Sequence, residues 1–276
     1  MGLMPAMALA NLDQSRPGAG FGGYRRYGSI GFLVAAAGLP LIFDTIPQMA
    51  MAMMGALPLS IWFVWKLADP VRSSGTAAQG GSMPNKWSLW LFLIAHFFVS
   101  LAEPGVHGFF SAYAREMGAS IEWVGILSGL TGLIALMSLG FMGRLADRIG
   151  AQKILLIGFA VQGVRMALTS FVTNPDWLWV PHLLHSFGWA GREVGTLLFL
   201  SAIMGKARLG MASSVVMSVR MAGMMVGAMM MGQIAESAGY VMMYRVVSGC
   251  VFVGLAVLVL AVRSGKRSAT TIRSLK

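Results

Sequence analysis

The chain alternates long apolar runs with short clusters of charge, glycine and proline. Eight runs approach or exceed the roughly 20 residues that a helix needs to cross the hydrocarbon of a bilayer. The pattern predicts spanning helices at Tyr27–Phe43, Pro47–Leu67, Trp87–Tyr113, Ile121–Met142, Lys153–Val172, Trp177–Met204, Leu209–Gly232 and Tyr240–Val262. Backbone amides in lipid must be satisfied within their own segment, which selects helices. The two-residue alternation of an outer-membrane barrel is absent. The expected fold class is an all-α polytopic membrane protein.

Composition supports this. Of 276 residues, 57% are hydrophobic and 11% charged, against about 25% charged in soluble domains. Mean hydropathy is +0.71. A net charge of +11 would suggest nucleic acid if the protein were soluble, but its distribution has another cause. Sixteen of the 21 lysines and arginines fall on the side of the N-terminus, from Arg16, Arg25 and Arg26 through Arg144, Arg148 and Lys153 to the C-terminal tail. Arg115 alone falls on the other side, and Arg165, Arg192, Arg220 and Arg245 lie inside spans. The positive-inside rule then places both termini in the cytoplasm, in a multi-pass protein of the cell (inner) membrane with no nucleic-acid partner. Met1–Leu12 is apolar but too short to span, and it lacks a basic leader.

Ala68–Lys86 is rich in Gly, Ser, Pro and Ala and predicts a flexible cytoplasmic linker. The expected organisation is a two-helix unit at 1–67, the linker at 68–86, a six-helix bundle at 87–262 and a basic tail at 263–276. Cys250, the one cysteine, excludes an intrachain disulfide and fits a small packed residue. No metal-ligand spacing, nucleophile elbow, phosphate loop or pair of catalytic carboxylates is present, so neither a metal, a cofactor nor an enzyme is expected. Matched histidine pairs for haem are likewise missing.

Ionisable residues inside spans carry the functional signal, because lipid does not solvate them. Trp177–Met204 holds His182, His185, Arg192 and Glu193; with Trp189 they occupy a sector of about 100° on a helix. His96, Glu103 and His107 fall within roughly 40° of one another on the third span, where Pro104 predicts a kink. Arg165 and Arg220 stand mid-span. Glu103 could hold helices together by pairing with His182 or Arg220, or line a cavity; Arg192 and Glu193, being adjacent, could neutralise each other. Arg245 is expected to snorkel outward. Three arginines (165, 192, 220) against two glutamates (103, 193) leave a positive charge, which an anionic edge on a bound solute would offset. Gly223-x-x-x-Gly227 predicts a close helix approach. Six methionines crowd the same span; being spread over all its faces, they predict adaptable packing rather than a thioether metal site.

Gly143-Arg144-Leu145-Ala146-Asp147-Arg148-Ile149-Gly150-Ala151-Gln152-Lys153 resembles the G-x-x-x-D-R-x-G-x-x-K loop of the major facilitator superfamily. Its glycines suit a tight turn, and Asp147 can accept from helix N-termini or an arginine. Phe21–Phe32 (FGGYRRYGSIGF) is similar to the entry of the fifth helix in the lactose permease and phenylpropionate permease branch. Within that resemblance Arg165 matches a ninth-helix arginine, His185 a tenth-helix histidine, and Arg220 an eleventh-helix lysine. His182 takes the position of a lysine, Glu103 lies near a seventh-helix aspartate, and His107 resembles a histidine of the phenylpropionate-type branch. Gly188 stands where lactose permease has its proton-coupling glutamate.

The resemblance implies alternating access around a site near the membrane midplane. It implies a secondary active transporter of a small organic solute (carboxylate-bearing, a sugar or a nucleoside), with proton symport through Glu103 and His185. It also implies twelve helices, of which the first four have no counterpart here. The other expectation is accordingly a shortened membrane protein that does not transport, or one that needs a partner to supply the missing amino-half helices.

Overall fold

Local sequence punctuation sets most helix ends. The computed structural model describes residues 16–42, 86–204 and 206–274, together with positions 48, 51, 54–58 and 62. Among these residues the regular elements are helices: α1 (Pro17–Ile42), α2 (Lys86–Ser100), α3 (Glu103–His107), α4 (Phe110–Glu116), α5 (Ile121–Ile149), α6 (Ala151–Thr169), α7 (Trp179–Met204) and α8 (Lys206–Ser274), with a 3₁₀ turn at Pro175–Leu178 before α7. Most of the expected second span, Pro47–Leu67, and the linker up to Asn85 lie outside the described residues.

Pro17 opens α1, a position where its missing N–H costs nothing. The helix therefore begins ten residues before the expected Tyr27. Ser120 caps α5 by accepting from the Trp123 amide at 3.1 Å. Gly150, at φ 92°, ends α5 and starts α6 in one residue; this is the tight turn that the loop glycines predict, since positive φ is costly for any residue with a Cβ.

Among the described residues, four segments are long and apolar enough to cross a membrane: Trp87–Gly105, Ile121–Ile149, Ala151–Thr169 and Arg208–Ser264. The last, at 57 residues, has length for two crossings of about 20 residues each. They are separated by Gly239, at φ 79° and ψ 165°, rather than by the connection expected between Gly232 and Tyr240. The third expected span is also corrected. It is not one helix but α2, α3 and α4, interrupted at Leu101–Ala102 and Gly108–Phe109. Pro104 explains the first interruption, because its ring has no N–H and collides with the carbonyl four residues back, at Ser100.

Neighbours follow the order α1, α5, α7, α6, α8, α2, each helix packed on the next. Small residues make these contacts close. A Cβ on Gly227 would collide with the Leu101 carbonyl, and one on Gly223 would sit 2.8 Å from the Phe97 carbonyl, so the Gly223-x-x-x-Gly227 expectation holds against α2. On the α6–α7 seam, a Cβ on Gly158 would sit 2.5 Å from the Arg192 amide and one on Gly195 2.7 Å from the Leu155 amide. Serine hydroxyls add bonds between helices. Ser186 donates to Thr131 and Ser138 to Ser186, tying α5 to α7, while Ser248 donates to Gly163 and ties α8 to α6.

Candidate functional site

The polar face of α7 divides into two parts with different partners. Its first turns, with His182, His185 and Trp189, line a cavity of ≈ 520 Å³. Its later turns, with Arg192 and Glu193, are tied into ion pairs. Ser138 and Ser186 fix the rotation of α7 against α5, which turns the histidines toward the cavity.

Other helices complete the cavity wall. Arg25 and Ser29 come from α1, Phe110 and Ser111 from α4, Ser128 and Thr131 from α5. Rings run in series along one side: Phe110 lies 4.1 Å from His182, which lies 6.4 Å from His185. Farther along, the Arg25 guanidinium sits 5.9 Å from the centre of the Trp189 ring. Ser128 and Thr131 donate to carbonyls of their own helix, Val124 and Leu127, so their oxygens retain accepting capacity. The wall thus offers aromatic faces, hydroxyls and a cation to a solute of a few hundred Å³.

The buried charges are paired between helices and not as the sequence suggests. Arg192 pairs with Glu103, both side chains nearly sealed from solvent. Arg220 donates to Glu193 at 2.5 Å, and Arg25 lies 3.8 Å from the same carboxylate. Arg192 and Glu193 form their ion pairs with other helices rather than with each other, as successive helical residues point about 100° apart. Glu103, expected beside Arg220 or His182, has Arg192 as an ion-pair partner. Arg165 stands apart. It is fully buried on α6, and among the described residues no acceptor lies within hydrogen-bonding distance of its guanidinium.

His96 belongs to the packing. Its Nδ1 faces the Phe92 carbonyl at 3.0 Å and its Nε2 the Thr196 hydroxyl at 2.9 Å. A carbonyl only accepts, so Nδ1 carries the proton and Nε2 accepts from Thr196. The side chain of His107 lies outside the described residues. Gly188 faces Gln162 of α6, so no carboxylate replaces the missing one there.

Sequence reasoning missed Arg25 as a site residue, because it was counted among the flanking basic residues. The missed signal was Pro17 as a helix start, which puts Arg25 in the third turn of α1. It also missed Ser128, Thr131 and Phe110.

The loop motif makes a defined contact. Asp147 accepts from the Gly18 amide (Oδ1, 2.8 Å) and from the Ala19 amide (Oδ2, 2.8 Å), so a carboxylate caps the N-terminus of α1. Cβ atoms on Gly18 or Gly143 would run into each other's backbone, and one on Gly22 into the Leu139 carbonyl. Arg144, Arg148 and Lys153 are exposed around this contact.

Comparisons with known proteins give the family and the fold. Residues 1–246 match the MFS_1 like family. The multi-drug resistance efflux pump PmrA homolog of Lactococcus lactis is 24% identical over 189 residues, 66% of this chain and 47% of that protein. The multidrug resistance protein MdtG of Citrobacter koseri is 28% identical over 177 residues, 62% of this chain and 43% of that protein. The chain thus spans less than half the length of these relatives. In fold it is similar to the crystal structure of a bacterial homologue of the iron transporter ferroportin in an outward-facing state. The TM-score is 0.68 at 17% identity, covering 92% of this chain and 66% of that one. With a family match over most of its length and an all-helical fold of the same kind, the chain belongs to the MFS_1 like family of major facilitator proteins.

Proposed function

We propose that this chain forms the solute-binding part of a proton-driven secondary transporter of small organic solutes in the cell membrane, working by alternating access. The single observation that carries this is the cavity joining Arg25, His182, His185 and Trp189 from helices α1 and α7. Along α1 and α5, it lies on the far side of the tight Gly18–Gly143 and Gly22–Leu139 contact. That contact acts as the closed gate, and Asp147 latches it through the α1 N-terminus. The exposed basic residues at the same end support a cytoplasmic location for the gate and for both termini.

His185 is the candidate proton carrier on the cavity wall; Glu103 takes protons only when its pair with Arg192 opens. Resemblance to the permease branch favours symport, whereas the name of the Lactococcus lactis relative, an efflux pump, favours exit of solute. Four arginines (25, 165, 192, 220) face two glutamates (103, 193) in this region, so the solute carries a carboxylate or another acidic edge.

Binding to the purified chain is the first test. Arg25→Ala and His185→Ala should each weaken binding of an aromatic carboxylate by tenfold or more, the worth of one charge-assisted hydrogen bond. Binding of neutral sugars with indifference to aromatic carboxylates would refute the solute class. The gate has its own test. Ala146 is 4% exposed and packs beside Gly18. In an Ala146→Cys, Cys250→Ala background, Asp147→Asn should speed maleimide labelling about tenfold by weakening the cap. Equal labelling rates would mean that Asp147 does not hold the gate.

A further inference from the structure

A second concavity plays no part in this transport scheme. It is a crevice of ≈ 270 Å³ where α6 ends and α7 begins, at the end of the bundle opposite the basic loops. Leu168, Phe171, Val172, Trp177, Val180 and Pro181 line it, with Thr173 and Asn174. Phe171 is 71% and Trp177 59% exposed. Such surface is costly against water and suits the lipid interface, where indoles sit at headgroup level. Trp177 stacks with Trp179 at 6.4 Å, which keeps two indoles at that level.

A cation stands beside Phe171, one of the crevice's lining residues. Arg245, six residues beyond the break at Gly239, is exposed, and its guanidinium lies 5.8 Å from the centre of the Phe171 ring. It forms no ion pair among the described residues. An apolar slot beside an unpaired surface arginine is complementary to an amphiphile with an anionic head. A neutral apolar partner would leave the arginine desolvated without compensation.

We propose that this crevice is a phospholipid site of the non-cytoplasmic leaflet that selects an anionic headgroup. One acyl chain fills the slot between Leu168 and Pro181, the phosphate lies against Arg245, and Trp177 marks the glycerol level. The site is independent of the solute that the central cavity takes.

The test uses the full chain in phosphatidylcholine vesicles containing a minor fraction of phosphatidylglycerol, with brominated acyl chains on one lipid or the other. Trp177 is the reporter, read as the quenching lost in Trp177→Phe. Brominated phosphatidylglycerol should be enriched at Trp177 about fivefold over its bulk fraction, the effect of one arginine near an anionic headgroup. Arg245→Gln should abolish the enrichment while quenching by brominated phosphatidylcholine persists. Arg115→Gln, which alters another exposed cation of that side, should leave it in place. Val180→Phe, which fills the slot, should reduce quenching by both lipids. Equal enrichment of the two lipids in the wild type, or enrichment that survives Arg245→Gln, would overturn the proposal. So would the absence of quenching by either lipid, which would mean that protein covers the crevice.

Discussion

Replacing Arg192 with methionine is expected to destabilise the protein by about 3–5 kcal/mol, because it removes the guanidinium that pairs with the buried Glu103 carboxylate. Arg192 and Glu103 form their ion pair with side chains 3% and 6% exposed, so water cannot take the place of the lost guanidinium there. For a chain of this size the loss corresponds to a fall of about 10 °C in the unfolding midpoint. Adding Glu103→Gln in the same chain should restore most of it, since a neutral amide needs no counter-charge. Glu103→Gln alone should cost less than Arg192→Met, because Arg192 can lean on the carboxylate field of its neighbours. A double-mutant cycle measured by thermal unfolding in detergent gives the coupling energy directly. Additive effects would show that the two charges do not share a site, and would remove Glu103 from any role linked to Arg192.

This pair also shows where sequence stops being informative. That His182, His185, Arg192 and Glu193 share a stripe follows from helical period alone, and the structure keeps them on one face of α7. Which carboxylate meets which guanidinium depends on how α3 and α8 lie against that face, and no local signal encodes it. Adjacency in sequence suggested Arg192 with Glu193, although adjacent helical side chains diverge. Helix contacts were more legible than charge pairs. Gly223 and Gly227 announce a close approach because only the lack of a Cβ permits one. Gly150 likewise announces a turn that needs positive φ. Of the two partners that the loop motif offers Asp147, a helix N-terminus or an arginine, the structure shows the N-terminus of α1.

Arg25 failed for a different reason. A run rich in glycine, from Gly18 to Gly23, discourages a helix assignment. Here Gly18 and Gly22 are what allows α1 to lie backbone-to-backbone on α5. Tertiary contact overrode propensity, and the helix began early enough to carry Arg25 into the cavity wall. The division of the third span was half legible. Pro104 was read as a kink, yet the helix stops and restarts twice, so the periodicity that joined His96 to Glu103 does not run through. His96 consequently packs against Thr196 and Phe92, away from the cavity.

Arg165→Met should change stability in the direction opposite to Arg192→Met. Arg165 is as buried as any side chain in the bundle, but its guanidinium has no hydrogen-bond acceptor among the described residues. Glu103 and the Tyr244 hydroxyl act on it only through space, and Glu103 is already engaged by Arg192. A cation held this way costs about 2.5–3.5 kcal/mol on membrane-insertion scales. Methionine has similar length and no charge, so the substitution should raise the unfolding midpoint by several degrees, about 2 °C or more for each kcal/mol relieved. A residue that costs stability in one conformation is explained if it is used in another. In the transport cycle proposed above, opening of the Arg192–Glu103 pair would free a carboxylate for Arg165. Arg165→Met should therefore be stabler than the wild type and defective in solute-coupled proton movement, measured with a pH dye inside vesicles that carry the protein in its transporting form. A variant that unfolds at lower temperature would mean that Arg165 is already satisfied where it stands. A stabler variant with normal proton movement would mean that it takes no part in the cycle.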